Sequence, residues 1–212
     1  MQEIELKIVG VSKAKKKGNC FVNFSNGEWV LVNTDLILKF NLQKDKVINQ
    51  DIVNQITYDQ NLIDAKQRSL NYATYKPRTE KQVRDKLKEL KFLPELIETC
   101  INFLYEFNYL DDEKFAFSFA KDYKQLKPAS GEKIRQELLK RGICKLLAEK
   151  AVSDLFSDEE IVIQIEKACE KKLRMLKNKP KEKMKSSLIS FLQRQGFEWE
   201  LIKQAINKYD LN

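Results

Sequence analysis

Three stretches decide the fold: Lys91-Phe92-Leu93-Pro94-Glu95-Leu96-Ile97-Glu98-Thr99-Cys100-Ile101, Gly142-Ile143-Cys144-Lys145-Leu146-Leu147-Ala148-Glu149-Lys150-Ala151-Val152, and Gly196-Phe197-Glu198-Trp199-Glu200-Leu201-Ile202-Lys203-Gln204-Ala205-Ile206. They align without a gap at spacings of 51 and 54 residues. Leu96, Leu147 and Leu201 share one column; Ile101, Val152 and Ile206 share another. Cys100, Ala151 and Ala205 form a small-residue column where helices approach closely. Upstream, Val83 and Leu87 match Ile134 and Leu138, then Leu188 and Leu192. A spacing of four puts each pair on one helix face. Gly142 and Gly196 follow as the left-handed residues that end a helix. Lys91 takes that place in the first copy, so its turn is either strained or slightly different.

Further upstream, Pro77, Pro128 and Pro180 separate a first helix from a second in each copy. The first helices run through Ala65, Ser69 and Tyr72, then Ala116, Ala120 and Tyr123, then approximately Ile165, Ala168 and Leu176. Each copy therefore reads as three helices, the last two meeting at a tight turn. Three consecutive copies make an internal repeat, and units this small gain stability by stacking on neighbours. The expected fold is mainly α: tandem repeats of three-helix units in an elongated array, preceded by a small N-terminal β element. The boundaries drawn are residues 1–57 for that element with short helices, and 58–110, 111–157 and 158–212 for the repeats.

In the N-terminal part, Ile4, Leu6 and Ile8 alternate with Glu5 and Lys7, the period of a half-buried strand. Two further runs, 21–25 and 28–32, flank Asn26-Gly27, which predicts a type I′ hairpin and three strands in all. A basic loop, Lys13-Ala14-Lys15-Lys16-Lys17-Gly18, lies between the first two runs and reads either as a phosphate grip or as a solvated tip. Asn33 or Thr34 caps a short helix carrying Leu36, Ile37, Leu38 and Phe40. So small a sheet needs the following helices to pack against.

Composition narrows the function. Charged residues make up 33% of the 212, while Gly is only 6 and Pro only 4, too few turn-makers for an all-β sandwich. Histidine is absent, which removes Ser-His-Asp and Cys-His nucleophile schemes and histidine metal sites. Cys20, Cys100, Cys144 and Cys169 have no Cys-x-x-Cys spacing and are expected to be buried reduced thiols. Met1-Gln2-Glu3-Ile4-Glu5 does not read as a signal peptide, and no apolar run is long enough to span a membrane. The expectation is a cytoplasmic protein with no cofactor and no bound metal.

A net charge of +8 and a pI near 9.1 favour an acidic partner such as nucleic acid or a nucleoprotein. Between Lys167 and Lys185 nine basic residues face only Glu170 and Glu182. Lys167, Lys171 and Arg174 share a helix face there, with Lys177 just beyond, and form the first candidate contact surface. Arg78, Arg84, Lys133 and Arg135, near the repeated helix starts, form a second. Arg84 and Arg135 are equivalent between copies, but Ile189 breaks the series. Asp111-Asp112-Glu113 invites a metal-dependent nuclease reading; its place before an apolar helical run favours capping instead. Thr79 and Gln82 have the spacing of a reciprocal capping box, and Ser130 to Lys133 reads as another helix start.

The stretches Tyr109-Leu110-Asp111-Asp112-Glu113-Lys114-Phe115-Ala116, Gly131-Glu132-Lys133-Ile134-Arg135-Gln136-Glu137-Leu138 and Lys140-Arg141-Gly142-Ile143 resemble the RecX family of bacterial RecA modulators. Tyr75-Lys76-Pro77-Arg78-Thr79-Glu80-Lys81-Gln82-Val83-Arg84 is similar to that family's arginine-serine motif, with Thr79 for the usual serine; Lys91 replaces the expected glycine. The resemblance covers the whole chain and is strongest from 65 to 152. It implies a non-enzymatic regulator of homologous recombination and of the SOS response. Such a protein lies in the groove of the RecA filament on single-stranded DNA and restrains filament extension, ATP hydrolysis and strand exchange. A monomer with weak, sequence-independent DNA binding is implied. The rival is an independent helix-turn-helix-like DNA-binding protein, since a tight two-helix turn suits a groove reader as well.

Overall fold

The computed structural model describes residues 5–209, so Ile4, assigned above to the first strand, lies outside the described residues. The chain forms two compact units: one holds the sheet, the helix that follows it as far as Tyr72, and Lys86–Glu106; the other holds Ala73–Asp85 and everything described from Phe107 onward.

The first unit opens with β1 (Glu5–Lys13), β2 (Asn19–Phe24) and β3 (Trp29–Asn33), then α1 (Thr34–Lys39), β4 (Val47–Asn49) and α2 (Gln50–Tyr75). The sheet is antiparallel, ordered β3-β2-β1-β4, and so has four strands where three were expected. β4 escaped the sequence because three residues leading straight into a helix show no period; Leu6 pairs with Ile48 to close that edge. Asn33 caps α1, its side chain accepting from the Asp35 amide. The hairpin also differs from expectation. Gly27 has φ 86° and its N–H reaches the Phe24 carbonyl at 3.1 Å, while the Phe24 N–H reaches Glu28 at 2.9 Å. Asn26 keeps a negative φ, so the loop is a type I turn closed by a glycine bulge, not type I′. Asn26 Oδ1 accepts from the Glu28 amide at 3.0 Å, a bond that the shorter turn would not need.

One sheet face carries Leu6, Ile8, Val22, Phe24 and Val32, and it packs with Leu36, Leu42, Ile48 and Ile56. Ile52, Val53 and Ile63 extend this core along the first half of α2. The boundary drawn at residues 57 and 58 thus falls inside a helix that serves the sheet.

The repeated helices follow: α3 (Glu80–Glu89), α4 (Pro94–Glu106), α5 (Asp112–Leu126), α6 (Gly131–Lys140), α7 (Lys145–Ser153), α8 (Asp158–Leu176), α9 (Lys181–Arg194) and α10 (Trp199–Lys208). Each proline lies between helices, Pro77 after α2, Pro128 after α5 and Pro180 after α8. The aligned columns are the cores. Val83, Ile134 and Leu188 are fully buried, as are Ala65, Ala116 and Ala168 at the start of the series. In the second repeat these residues pack with Ile143, Ala148 and Ala151; in the third, with Phe197, Ile202, Ala205 and Ile206.

The turn between second and third helices is the same in all three copies. The N–H of Phe92, Ile143 and Phe197 reaches back to Leu87, Leu138 and Leu192, each at 3.2 Å. The preceding N–H of Lys91, Gly142 and Gly196 bonds three residues back, each at 2.9 Å. This is the Schellman pattern, with an apolar residue folding over the last helical leucine. It requires positive φ, and Lys91 adopts 62° beside 91° and 79° for the glycines. Lys91 therefore makes the same turn with a strained residue.

In the second unit the starts of α3 and α6 are each tied to the next repeat's turn. Thr79 and Gln82 form the reciprocal capping box, at 3.2 and 3.3 Å. The Thr79 hydroxyl then donates to the Arg141 carbonyl at 2.6 Å. One repeat later Ser130, the cap of α6, donates from its hydroxyl to Gly196 at 2.7 Å and from its N–H to Gln195 at 3.0 Å. Buried carbonyls at helix ends need such partners.

Glu137, on α6, binds the Arg141 guanidinium at 2.8 Å and Lys140 at 3.2 Å. These bonds outweigh burial and hold its carboxyl down to about 2, against an ordinary 4.5. A depressed folded pKa means that the stabilisation is complete above the unfolded value and disappears as pH falls from 4.5 toward 2. Urea midpoints taken across that window should drop for the wild type and fall less steeply for Glu137→Gln. Equal slopes would remove Glu137 from the account of acid sensitivity.

Candidate partner-binding surface

The acidic triplet is occupied by helix capping. Asp111 caps α5, its carboxylate accepting from the Lys114 amide at 2.8 Å. Asp112 accepts from the Glu80 amide at 2.9 Å; burial, opposed by that bond, raises its pKa. Glu113 pairs with Lys150 at 2.7 Å. Among the described residues no cluster of three or more His, Cys, Asp or Glu is placed to hold a metal ion. Cys20, Cys100 and Cys169 are buried, and burial pushes the Cys169 thiol up to about 11. Cys144 corrects the expectation of four buried thiols: it is exposed, at the N-cap of α7 and outside the core columns.

The two candidate basic surfaces prove unequal. Arg84 Nε lies 2.5 Å from Glu80 and Arg135 Nη2 lies 2.6 Å from Glu132, both side chains about a quarter exposed. Lys133 stands 3.6 Å from Glu137, and Arg78 is half-buried between α2 and α3. Arg84, Arg135 and Lys133 stand beside carboxylates, and a partner would have to displace those bonds. The structure does not join them to the α8 group.

On α8 the picture is reversed. Lys167, Lys171 and Arg174 fall along one exposed face and line a shallow depression of about 360 Å³ with Met175 and Glu170. Among the described residues no carboxylate lies within ion-pair reach of Lys167, Lys171 or Lys177. Arg174 has Glu170 at 3.5 Å, but both side chains are mostly exposed, where such a pair adds little. Lys177 is the C-cap of α8.

Cations at the end of α8 suit its helix dipole, so stability alone could explain them. That explanation fails at α9. Its N-cap is Pro180, with no side-chain cap, and its first five residues carry Lys181, Lys183 and Lys185 against one acid, Glu182. There the dipole is positive and repels lysine, so these charges cost stability. Uncapped N–H groups at a lysine-rich helix start favour an anion. The four α9-side lysines, counting Lys179, belong with the candidate surface. Their signal in the sequence was a basic run continuing straight past a helix-starting proline.

The larger groove, about 1010 Å³ between the second and third repeats, has the opposite sign. Glu132, Glu149, Asp158, Glu198 and Glu200 line it against Arg135 alone. It does not suit a polyanion. No helix among the described residues is long and apolar enough to cross a membrane.

Three family profiles match in tandem: "RecX, first three-helix domain" over 65–104, the second over 111–152 and the third over 158–206. Regulatory protein RecX of Clostridium perfringens is 31% identical over 182 residues, covering 85% of this chain and 84% of that protein. Regulatory protein RecX of Clostridium beijerinckii is 28% identical and covers 98% of this chain and 94% of its own. A crystal structure of a regulatory protein RecX superposes with TM-score 0.67 at 24% identity, covering 93% of this chain and 97% of that one, which speaks for the fold. RecX from Lactobacillus salivarius gives 0.58 at 26% identity over 72% of this chain and 98% of that one.

Proposed function

The chain belongs to the RecX family, and from that premise we propose that it is a regulator of RecA, mainly an inhibitor, acting by occupancy and not by chemistry. It lies in the groove of the RecA filament on single-stranded DNA and restrains filament extension, ATP hydrolysis and strand exchange. The modules 58–110, 111–157 and 158–212 each touch one stretch of the polymer, as a cytoplasmic monomer. Each contact is weak, but tethering raises the effective concentration for the next.

The observation that carries this reading is the mostly exposed run from Lys167 to Lys185, nine basic residues against Glu170 and Glu182, which continues onto a helix start where lysine is unfavourable. A periodic polyanion-bearing surface supplies the missing charge. Arg84 and Arg135 contribute by exchanging Glu80 and Glu132 for acidic groups of the partner, and Arg78 and Lys133 flank them.

Substoichiometric protein added to RecA on single-stranded DNA should depress ATP turnover and strand exchange. Unchanged turnover at equimolar protein would overturn the proposal. Nanomolar binding to one duplex sequence, without RecA, would favour a helix-turn-helix reader instead.

A further inference from the structure

The sheet has a second face, and its chemistry is unlike that of a solvated β surface. Alternation places Val22, Phe24, Val30 and Val32 toward the core, so Phe21, Asn23, Trp29 and Leu31 occupy the opposite side. There Phe21 and Trp29 meet edge to face, ring centroids 5.1 Å apart and planes at 82°. Trp29 is 60% exposed, with the Phe21 ring against it on one side. Cross-strand from them stand Gly10, opposite Asn23, and Ser12, opposite Phe21. Neither carries a bulky side chain onto that face beside the rings.

One residue beyond Ser12 begins the basic loop, and it lies at the Phe21 end of the face. Lys13, Lys15, Lys16 and Lys17 are all exposed there. Only Lys16 has an ion partner among the described residues, Asp64 at 3.3 Å. Glu28, at the hairpin tip beyond Trp29, marks the other limit of the face. Positive charge at one end, an edge-to-face aromatic pair in the middle and small residues beside it are the parts of a stacking platform.

We propose that this open face of the N-terminal sheet binds single-stranded nucleic acid, with unpaired bases stacked on Trp29 and Phe21 and the phosphates held by the lysines of the β1–β2 loop. Bases within a duplex are stacked on one another and cannot reach the rings, so the site selects single strands. Sequence preference is weak, because every base has a flat face. The site needs no RecA and uses none of the α8–α9 cations.

The chain has two tryptophans, so Trp199→Phe leaves Trp29 as sole reporter. An oligothymidylate of about 12 nucleotides should quench its emission saturably, with an affinity that falls as salt rises. A duplex of equal length should not quench. In anisotropy titrations with the labelled strand, Trp29→Ala should bind about tenfold more weakly and Trp29→Phe should recover most of the loss. Lys15→Glu with Lys17→Glu should also weaken binding and reduce its salt dependence. Emission indifferent to the single strand overturns the proposal, as does unaltered affinity in Trp29→Ala. Quenching by RecA protein alone, with none by the strand, would make the face a protein contact and overturn it equally. Because RecA is absent from the first titrations, failure here leaves the filament reading untouched, and the reverse.

Discussion

Reversing Lys171, Arg174 and Lys177 to glutamate together is expected to raise the concentration needed to inhibit RecA ATPase by on the order of 100-fold. All three side chains are exposed, and none is held in a close buried pair. Each has its charge available to a partner, and reversal replaces three attractions by three repulsions. If the partner's anions are phosphates of a single strand, three lost contacts should also reduce the salt slope by about 2. The fold should survive: Arg174 and Lys177 lie at the end of α8, where reversal opposes the dipole at about 0.3–1 kcal/mol each, and no core column is disturbed. Helical circular dichroism close to wild type would confirm that binding and not folding was altered. Arg84→Gln with Arg135→Gln should have a smaller effect, since both cations already hold Glu80 and Glu132.

Gly142→Val should destabilise the protein by about 3 kcal/mol, read as a lower urea midpoint at unchanged slope. Two physical requirements meet at this position. Its φ of 91° lies in the left-handed region, which costs roughly 1–2 kcal/mol for an L residue. A Cβ there would also stand 2.4 Å from Lys81 Cβ, at the start of the preceding repeat's helix. The loop must move, and the Thr79 bond to the neighbouring Arg141 carbonyl must move with it. Gly196 repeats the arrangement, with a Cβ 2.6 Å from the Ser130 hydroxyl. The equivalent Lys91 meets only the first requirement: its φ is 62° and the residue is exposed. Lys91→Gly is therefore expected to act with the opposite sign, adding about 0.5–1 kcal/mol by relieving the backbone. If both substitutions destabilised alike, the glycines would be conserving something other than this turn.

The threefold repeat was legible because its cores are columns: Val83, Ile134 and Leu188 are apolar in the sequence and buried in the fold for the same reason. Local capping was legible too, as Thr79 with Gln82 and Asp111 before α5 are settled within one turn of helix. What joins one repeat to the next was not. Thr79 and Arg141 are 62 residues apart, and nothing in either segment announces a bond between a helix start and a distant carbonyl. β4 was missed because Val47, Ile48 and Asn49 are paired through the backbone, which leaves no pattern in side chains. Asn26-Gly27 was misread because one positive φ and a bulge serve that hairpin where two were expected. Of the candidate contact residues, charge alone could not rank the groups. Only the pairing of Arg84 and Arg135 with neighbouring glutamates, and the lysines crowding the start of α9, separate them.

Binding of the labelled protein to three targets at one salt concentration separates filament occupancy from plain charge attraction: RecA assembled on single-stranded DNA, the same strand bare, and RecA without DNA. Charge-matched occupancy of the filament predicts saturable binding that is tightest on the assembled filament, weaker on the bare strand and weakest on RecA alone, with the Lys171, Arg174 and Lys177 reversals removing most of the filament's advantage. Equal affinity for the filament and the bare strand, or a filament advantage that the reversals leave intact, would contradict it.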